Sequence, residues 1–85
     1  SSNRVNLRID NYKGEMILDI KGMNGIKECV EEEGIIKLLI DEDIFNLESL
    51  LKIIEKNEGE IKSLNFEEPS LEEVFLSLTG KSLRD

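Results

Sequence analysis

Residues 26–40, with the sequence IKECVEEEGIIKLLI, decide the fold of this chain. Two apolar runs, residues 26–30 and 35–40, are separated by three glutamates and Gly34, a pattern that is typical of a β-hairpin. The second run is interrupted only by Lys37, so both faces of this strand are largely apolar. A strand that is apolar on both faces favours a central position in a sheet. We therefore expect a hairpin whose second strand lies inside the sheet.

The segments on either side of the hairpin predict the rest of the fold. Upstream, residues 4–10 alternate between apolar and polar side chains, which predicts a half-buried strand, and residues 15–22 carry a short helical stripe. Downstream, an amphipathic helix that begins near Leu47 ends at residues 57–59, and residues 60–67 form a fourth strand. The order β-α-β-β-α-β is that of the ferredoxin-like sandwich, in which two helices cover one face of a four-stranded antiparallel sheet. The predicted fold class is α+β, with one sheet face uncovered.

Composition excludes several classes of function. The chain has 85 residues, a formal net charge of −8, no histidine and one cysteine. Histidine catalysis and an intramolecular disulfide are therefore excluded, and the negative charge repels nucleic acids and anionic lipid surfaces. We expect residues 1–3 to be disordered or a tag remnant and residues 4–85 to form a single domain. We also expect a cytoplasmic protein with no nucleic-acid partner and no direct insertion into the membrane.

The last segment predicts an additional C-terminal helix with well-defined ends. Pro69 stops the preceding strand, and the side chains of Ser70 and Glu73 can form a reciprocal capping box. Gly80 stands where a left-handed residue ends many helices. The apolar residues form one stripe at helical spacing, with one further leucine beside it: Leu71, Val74, Phe75 and Leu78, and then Leu76.

The sequence PSLEEVFLSLTGK, residues 69–81, resembles the C-terminal signature of the ATP-binding subunits of drug-export ABC transporters, the daunorubicin-resistance-like ATPases. In that family a sequence of the form P-(S/T)-L-E-(E/D)-V-F-L-x-L-T-G closes the chain. The resemblance extends over residues 4–84, through the motif at residues 69–80 and through the order of elements elsewhere. It implies a C-terminal accessory domain that contacts the nucleotide-binding domain of its own subunit or of the dimer mate. The same resemblance implies coupling of ATP hydrolysis to a membrane-spanning permease, at the cytoplasmic side of the membrane.

The resemblance also implies which residues make contacts. The apolar motif residues look like packing residues, and the polar residues and the glycine look like capping positions. The interaction motif comprises Pro69, Ser70, Leu71, Glu72, Glu73, Val74, Phe75, Leu76, Leu78, Thr79 and Gly80. Contact with a partner requires an exposed apolar patch on the isolated domain. We expect Ile35, Leu39 and Cys29 on the uncovered sheet face to form that patch together with Leu76.

The sequence lacks the motifs that would hydrolyse ATP within this chain. No glycine-rich phosphate loop of the form GxxxxGK(S/T) occurs, and no acidic pair follows a strand beside such a loop. We therefore expect no catalysis and no cofactor in this chain, while the parent subunit would bind ATP and Mg²⁺. The acidic runs at residues 31–33, 41–43 and 67–68 lack the spacing of a calcium loop, so we expect solvated turns and no metal site.

A second hypothesis rests on residues 11–14, between the first strand and the first helix. Small-molecule sensors with a ferredoxin-like fold often bind their ligand at that position, so the chain could be an ACT-like regulatory module. The loop lacks the proline and glycine pattern that we expect of such a site. Binding of small amino acids would discriminate between the two hypotheses.

Overall fold

The computed structural model describes residues 2–67 and 70–80 of the chain. Four strands and three helices follow one another in the predicted order β-α-β-β-α-β-α, so the α+β fold class is confirmed. Their bounds are β1 Ser2–Asp10, α1 Met16–Lys21, β2 Ile26–Glu32, β3 Ile35–Asp41, α2 Leu47–Lys56, β4 Glu60–Glu67 and α3 Leu71–Thr79.

The strands form one antiparallel sheet in the order β2-β3-β1-β4. β3 lies inside the sheet, as its apolar sequence predicted. The register places Val5 opposite Leu38 of β3 and opposite Phe66 of β4. Since directly paired residues share a face, this register aligns the apolar positions of the strands on one side of the sheet.

β1 begins earlier than the sequence predicted. Ser2 pairs with Asp41 and Asn3 pairs with Ile40, so both residues belong to the sheet. The expectation that residues 1–3 are disordered or a tag remnant is therefore wrong for residues 2 and 3, while Ser1 lies outside the described residues. Polar side chains hid this extension, because the main chain alone makes the hydrogen bonds that pair the strands.

The core lies between the sheet and the helices α1 and α2. Alternate residues of β1 and β3 point toward the helices, and residues one helical turn apart on α1 and α2 point back. Among the described residues, the buried apolar side chains are Val5, Leu7, Ile9, Met16, Ile20, Ile36, Leu38, Ile40, Leu50 and Ile54. All ten belong to those four elements, so α3 contributes none of them.

Two loops depend on specific backbone geometry. The turn between β2 and β3 consists of Glu33 (φ 52°) and Gly34 (φ 79°), and two successive positive φ values are typical of a type I′ hairpin turn. Gly25 (φ 90°), between α1 and β2, lies so close to Phe45 that a Cβ atom built there would be 2.7 Å from the Phe45 backbone. Only glycine fits that position without moving the neighbouring chain.

The buried residue Asn57 joins three parts of the helical layer through its side chain and its backbone. Its Nδ2 atom donates to Oδ2 of Asp19 on α1 (3.0 Å) and to the carbonyl oxygen of Ile53 on α2 (2.9 Å). The backbone carbonyl oxygen of Asn57 accepts a hydrogen bond from the backbone N–H of Lys13 (2.9 Å). Asn57 therefore ends α2 and fixes the positions of α1 and of the loop before it.

Candidate interaction surface

The side of the sheet opposite α1 and α2 is called the open face here. Its central strands carry cations, Arg4 and Arg8 on β1 and Lys37 on β3. The outer strands carry carboxylates, which are Glu28 and Glu32 on β2 and Glu67 on β4. The apolar side chains between the charges are Val30 on β2 and Ile35 and Leu39 on β3. The open face thus has a positive centre on a chain whose net charge is −8.

Several charges of the open face have partners. The Asn6 amide donates to the Glu67 carboxylate (3.0 Å), and the Lys37 ammonium is 3.4 Å from the Glu32 carboxylate. The Arg8 side chain makes no hydrogen bond or ion pair with any residue that the structure describes. An arginine can hold a carboxylate through two parallel hydrogen bonds, so the arginines of this face suit an acidic partner.

A shallow depression of about 380 Å³ lies on this face between Arg4, Lys37 and Glu67. Leu39 and Val30 contribute its apolar surface. Leu39 and Ile35 therefore lie where the sequence analysis placed them, although both are only partly exposed. An apolar surface surrounded by charged side chains is a common composition for a protein contact.

Cys29 does not belong to the open face, so that part of the predicted patch is wrong. It pairs with Leu38 and packs partly against the core on the side that the helices cover. A register shift between Ile26 and Glu28 changes which alternate residues of β2 face the helices, and the sequence gives no sign of that shift. Burial raises the pKa of the Cys29 thiol, Lys21 lowers it and Glu31 raises it further, with a net upward shift.

The predicted capping of α3 is present at both ends. The hydroxyl oxygen of Ser70 accepts from the backbone N–H of Glu73 (3.1 Å), and the Glu73 carboxylate accepts from the backbone N–H of Ser70 (3.2 Å). At the other end Gly80 adopts φ 72° and donates its N–H to the carbonyl oxygen of Leu76 (2.7 Å). Pro69 lies outside the described residues. These local bonds fix the two ends of the helix.

The apolar side chains of α3 keep between 37% and 81% of their surface exposed. None of them belongs to the buried core of the described residues. The exposed fractions are 79% for Leu71, 40% for Val74, 37% for Phe75, 47% for Leu76 and 81% for Leu78. Within the stripe that the resemblance assigned to packing, Leu71 and Leu78 are therefore mostly exposed, whereas Val74 and Phe75 are more than half covered.

One ion pair joins α3 to the sheet. The Nε atom of Arg4, on the open face, is 3.6 Å from Oε1 of Glu73. Both side chains are about half exposed, and exposed pairs of this kind contribute about 0–1 kcal/mol. The pair places the first turn of α3 beside the open face and does not replace apolar packing.

The Phe75→Ala substitution is expected to cost less unfolding free energy than the truncation of a core residue, because Phe75 keeps 37% of its surface exposed and does not belong to the buried core. The matched change Leu50→Ala removes a fully buried side chain and should cost about 2–5 kcal/mol. Urea unfolding of both variants measures the two free energies. Equal losses would mean that Phe75 belongs to the core.

The loop at residues 11–14 is held by structural contacts. The Tyr12 hydroxyl donates to a carboxylate oxygen of Glu31 on β2 (2.5 Å), and the Lys13 backbone N–H bonds to Asn57. The hydrogen bond from Tyr12 to Glu31, together with burial and the negative charge of Glu31, raises the pKa of Tyr12 above its ordinary value. None of these contacts indicates a bound small molecule, so the geometry gives the ACT-like hypothesis no support.

The pKa shift of Tyr12 can be measured directly, because Tyr12 is the only tyrosine and the chain has no tryptophan. We expect its tyrosinate absorbance to appear above pH 10, and Glu31→Gln to lower the pKa toward that value. Since the folded pKa is raised, this bond stabilises the fold fully below about pH 10 and ceases to do so as pH rises through the folded pKa. An unshifted titration in the parent chain would contradict the Tyr12–Glu31 contact.

Of the acidic runs, residues 41–43 form a turn at the end of β3, whereas Glu31 and Glu32 lie in β2 and Glu67 lies in β4, so the prediction of turns is wrong for these three residues. Glu68 lies outside the described residues. The Asp41 carboxylate accepts the backbone N–H of Asp43 (3.0 Å), and the Glu42 carboxylate accepts from the Asn3 amide (2.7 Å). Within residues 2–67 and 70–80, no cluster of three or more potential ligands could hold a metal ion. In the same ranges, no helix has the length and apolarity needed to cross a membrane.

The cations of the open face are the part of this surface that sequence reasoning missed. Their signal was present, because Arg4, Asn6 and Arg8 are the polar alternation of β1. The alternation identified which side of β1 faces the core, and it also placed two of the three arginines on the opposite side. Lys37 joins them only through the pairing of β1 with β3.

The chain was compared with known proteins. A family model described as "ATP-binding protein DrrA1-3-like, C-terminal domain" matches residues 1–79. No match was found among curated proteins or among solved structures. The matched range includes every element of the fold and nearly all of the motif at residues 69–80.

Proposed function

Because this chain belongs to the DrrA1-3-like family of C-terminal domains of ATP-binding proteins, we propose that it is a non-catalytic accessory domain of an ABC exporter subunit. Its role is to bind other parts of the transporter. It touches the nucleotide-binding domain of its own subunit or of the dimer mate, and it helps couple ATP hydrolysis to the membrane-spanning permease. ATP and Mg²⁺ bind elsewhere in the parent subunit, at the cytoplasmic side of the membrane, and the exported molecules are drug-like.

The observation that carries this proposal is the uncovered apolar surface of α3. A short helix with five apolar side chains normally depends on packing for its stability. Here both helix ends are capped, and Leu71 and Leu78 remain mostly exposed. Each large apolar side chain gains about 1.5–3 kcal/mol when a partner covers it fully. Leu71 and Leu78, at 79% and 81% exposure, have the most to gain from such a contact.

The proposal is tested in the full-length subunit together with its permease. The double variant Leu71→Ser/Leu78→Ser removes the two most exposed apolar side chains of α3 and leaves the core unchanged. We expect normal folding, normal nucleotide binding, and at least about a tenfold loss in transport per ATP hydrolysed, because the two lost contacts together exceed 1.4 kcal/mol. Transport into vesicles and ATP hydrolysis are measured on the same preparation.

The matched control is Leu18→Ser, which removes an equally exposed leucine (70%) from α1, away from α3. This variant should transport normally. If the α3 double variant also transports normally, or if Leu18→Ser impairs transport equally, α3 is not the contact surface. A change in the unfolding midpoint of the double variant would instead assign its leucines to the fold.

A further inference from the structure

We propose that the outer edge of β4 binds an extended protein segment from outside this chain, which adds a fifth strand to the sheet. The segment has apolar side chains on one face and a lysine or arginine at each end. This contact does not involve α3, so it goes beyond the proposed function. Three features of the molecule support it: the free edge of β4, an apolar strip beside that edge, and the charges around the strip.

β4 is one of the two edge strands of the sheet. The strand order β2-β3-β1-β4 leaves its outer side without a partner among the strands that the structure describes. Backbone N–H and C=O groups on such an edge can pair with an added strand. Charged side chains discourage such pairing, and the longest uncharged run is two residues in β2 and four residues, 63–66, in β4. β4 is therefore the edge that is better suited to accept a strand.

An apolar strip lies beside this edge, on the side of the sheet that carries the helices. Ile61, Leu64 and Phe66 pair with buried residues of β1, so their side chains point to that side. Leu47 and Leu51 of α2 complete the strip. The exposed fractions are 38% for Leu47, 37% for Leu51, 43% for Ile61 and 49% for Phe66, although all four residues adjoin the core.

The two leucines of the strip lie on the outer flank of α2, above the β4 edge. Lys56 and Asn57 contact Asp19 of α1 from the opposite flank. At 3.6 residues per turn, Leu51 is about 120–140° around the helix from Lys56 and Asn57. α2 lies next to β4, and an added strand would be about 4.8 Å beyond β4. Such a strand would lie beneath this flank and cover the strip.

The charges around the strip are mainly negative. α2 carries Glu48 and Glu55 within one helical turn of Leu51, and β4 carries Glu60 and Glu67 at its two ends. Lysines of the same elements lie 3.2 Å from Glu48 and 3.6 Å from Glu60. No ion pair joins Glu55 or Glu67 to a residue that the structure describes. The remaining negative charge favours a partner with lysine or arginine.

A second copy of this chain suits this edge less well than a basic segment. If two β4 strands paired antiparallel along their whole length, Glu60 of each would lie opposite Glu67 of the other. Like charges directly opposite each other destabilise a sheet, whereas opposite charges stabilise it. In β1, residues 4–10 pair with residues 60–67 of β4, so a segment of about seven residues reaches both glutamates.

The first experiment uses a peptide with blocked ends and the sequence KVTVTVK, whose valines share one face and whose lysines share the other. It is titrated into the isotope-labelled 85-residue chain at about 0.15 M salt, and amide signals and amide hydrogen exchange are followed by NMR. We expect saturable binding with a Kd of about 1 mM or lower, slower exchange in β4 and unchanged exchange in β2. A peptide with glutamate in place of both lysines should bind at least about tenfold more weakly.

Two N-methylated peptides test whether the segment pairs as a strand. Successive residues of a strand direct their N–H groups to opposite edges, so methyl groups on the valine nitrogens block one edge and methyl groups on the threonine nitrogens block the other. Both peptides keep the same side chains. One of them should therefore lose binding, and the other should bind like the parent peptide. Equal binding by the two would overturn the inference.

Variants of the chain locate the contact. Ile61→Thr/Phe66→Thr removes two exposed apolar side chains of the strip and keeps a residue type that favours strands. It should weaken binding by about tenfold or more. The matched control Val30→Thr changes an equally exposed residue (50%) of the other edge strand and should bind normally. Equal effects of the two changes would contradict the inference, and if the double variant does not fold, the N-methylated peptides decide with the parent chain.

The remaining outcomes separate this inference from the proposed function. Absence of binding, or protection of β2 in place of β4, overturns the inference. Dimers of the chain alone in which β4 is protected would assign the edge to a second copy, and this also overturns it. None of these results concerns α3, so the transport measurement on Leu71→Ser/Leu78→Ser decides the proposed function independently.

Discussion

The free energy of unfolding of the Gly25→Ala variant is expected to be about 2–5 kcal/mol lower than that of the parent chain. Two costs add at this position. The φ value of 90° is unfavourable for a residue with a side chain, by about 1–2 kcal/mol. The new Cβ atom would also lie 2.7 Å from the N and Cα atoms of Phe45, and relieving such overpacking costs about 1–3 kcal/mol. Since the contact is with backbone atoms, no side-chain rotation can relieve it.

The control for this variant is Gly14→Ala. Gly14 has no neighbouring atom within 4 Å of its virtual Cβ and no positive φ, so the change should alter the unfolding free energy by less than about 1 kcal/mol. Urea unfolding followed by circular dichroism measures both variants. Similar free energies for the two would mean that the loop at Gly25 does not approach Phe45. That result would also argue against the 2.8 Å hydrogen bond from the Asp41 N–H to the Gly25 carbonyl oxygen, because this bond depends on the same position of the loop.

The Asn57→Asp variant is expected to lose about 3 kcal/mol at neutral pH. The substitution replaces an N–H donor, buried at 3% exposure, by a carboxylate oxygen. The hydrogen bonds to Asp19 and Ile53 are lost, at about 0.5–1.5 kcal/mol each. The introduced negative charge also faces the Asp19 carboxylate, and the single ammonium nearby, that of Lys56 at 3.6 Å from the same Asp19 oxygen, is shared between the two carboxylates. Burial of a poorly compensated charge adds to the loss.

The loss should diminish in acid. Burial and the neighbouring Asp19 raise the pKa of the introduced carboxyl above its value in the unfolded chain. A raised folded pKa favours folding below the unfolded pKa, and the benefit disappears as pH rises through the folded pKa. The protonated carboxyl can also donate a hydrogen bond to Asp19. The free-energy gap between the variant and the parent chain should therefore narrow as pH falls toward about 4.

Asn57→Ala separates the charge from the lost hydrogen bonds. It removes both bonds without adding a charge, so it should cost about 1–3 kcal/mol and show no comparable narrowing in acid. Unfolding of the three chains is measured between neutral pH and about pH 4. Parallel pH dependences for the aspartate and alanine variants would mean that the introduced carboxyl is solvated and that Asn57 is not buried beside Asp19.

Most of the fold was predictable because its signals are periodic and local. In β1 the alternation from Val5 to Ile9 gives both the strand and its buried side. In α2 the spacing of Leu50 and Ile54 gives the helix and its core-facing stripe. The start of β1 was predicted two residues late, and Cys29 was assigned to the wrong face. Both errors concern strand pairing, in which main-chain bonds to a distant strand determine the register.

The candidate interaction surface was only partly predictable, for a related reason. The capping residues and apolar stripe of α3 lie within one short segment, so the sequence shows both. The open face combines residues that are far apart in the chain. Arg4 and Lys37 become neighbours on that face only when β1 pairs with β3. No local sequence pattern specifies this pairing, because the two residues are far apart in the chain.

The sequence by itself determined the order of elements, the central hairpin, the ends of α3 and the family to which the chain belongs. These depend on interactions between residues a few positions apart, which a linear pattern records directly. Only the tertiary structure decided that α3 contributes no side chain to the buried core of the described residues and that the arginines of β1 form a positive centre with Lys37. The same apolar stripe would appear in the sequence whether α3 packed on its own domain or on another molecule. Which surface covers it depends on the surfaces available in three dimensions, and in this domain Leu71 and Leu78 keep 79% and 81% of their surface exposed.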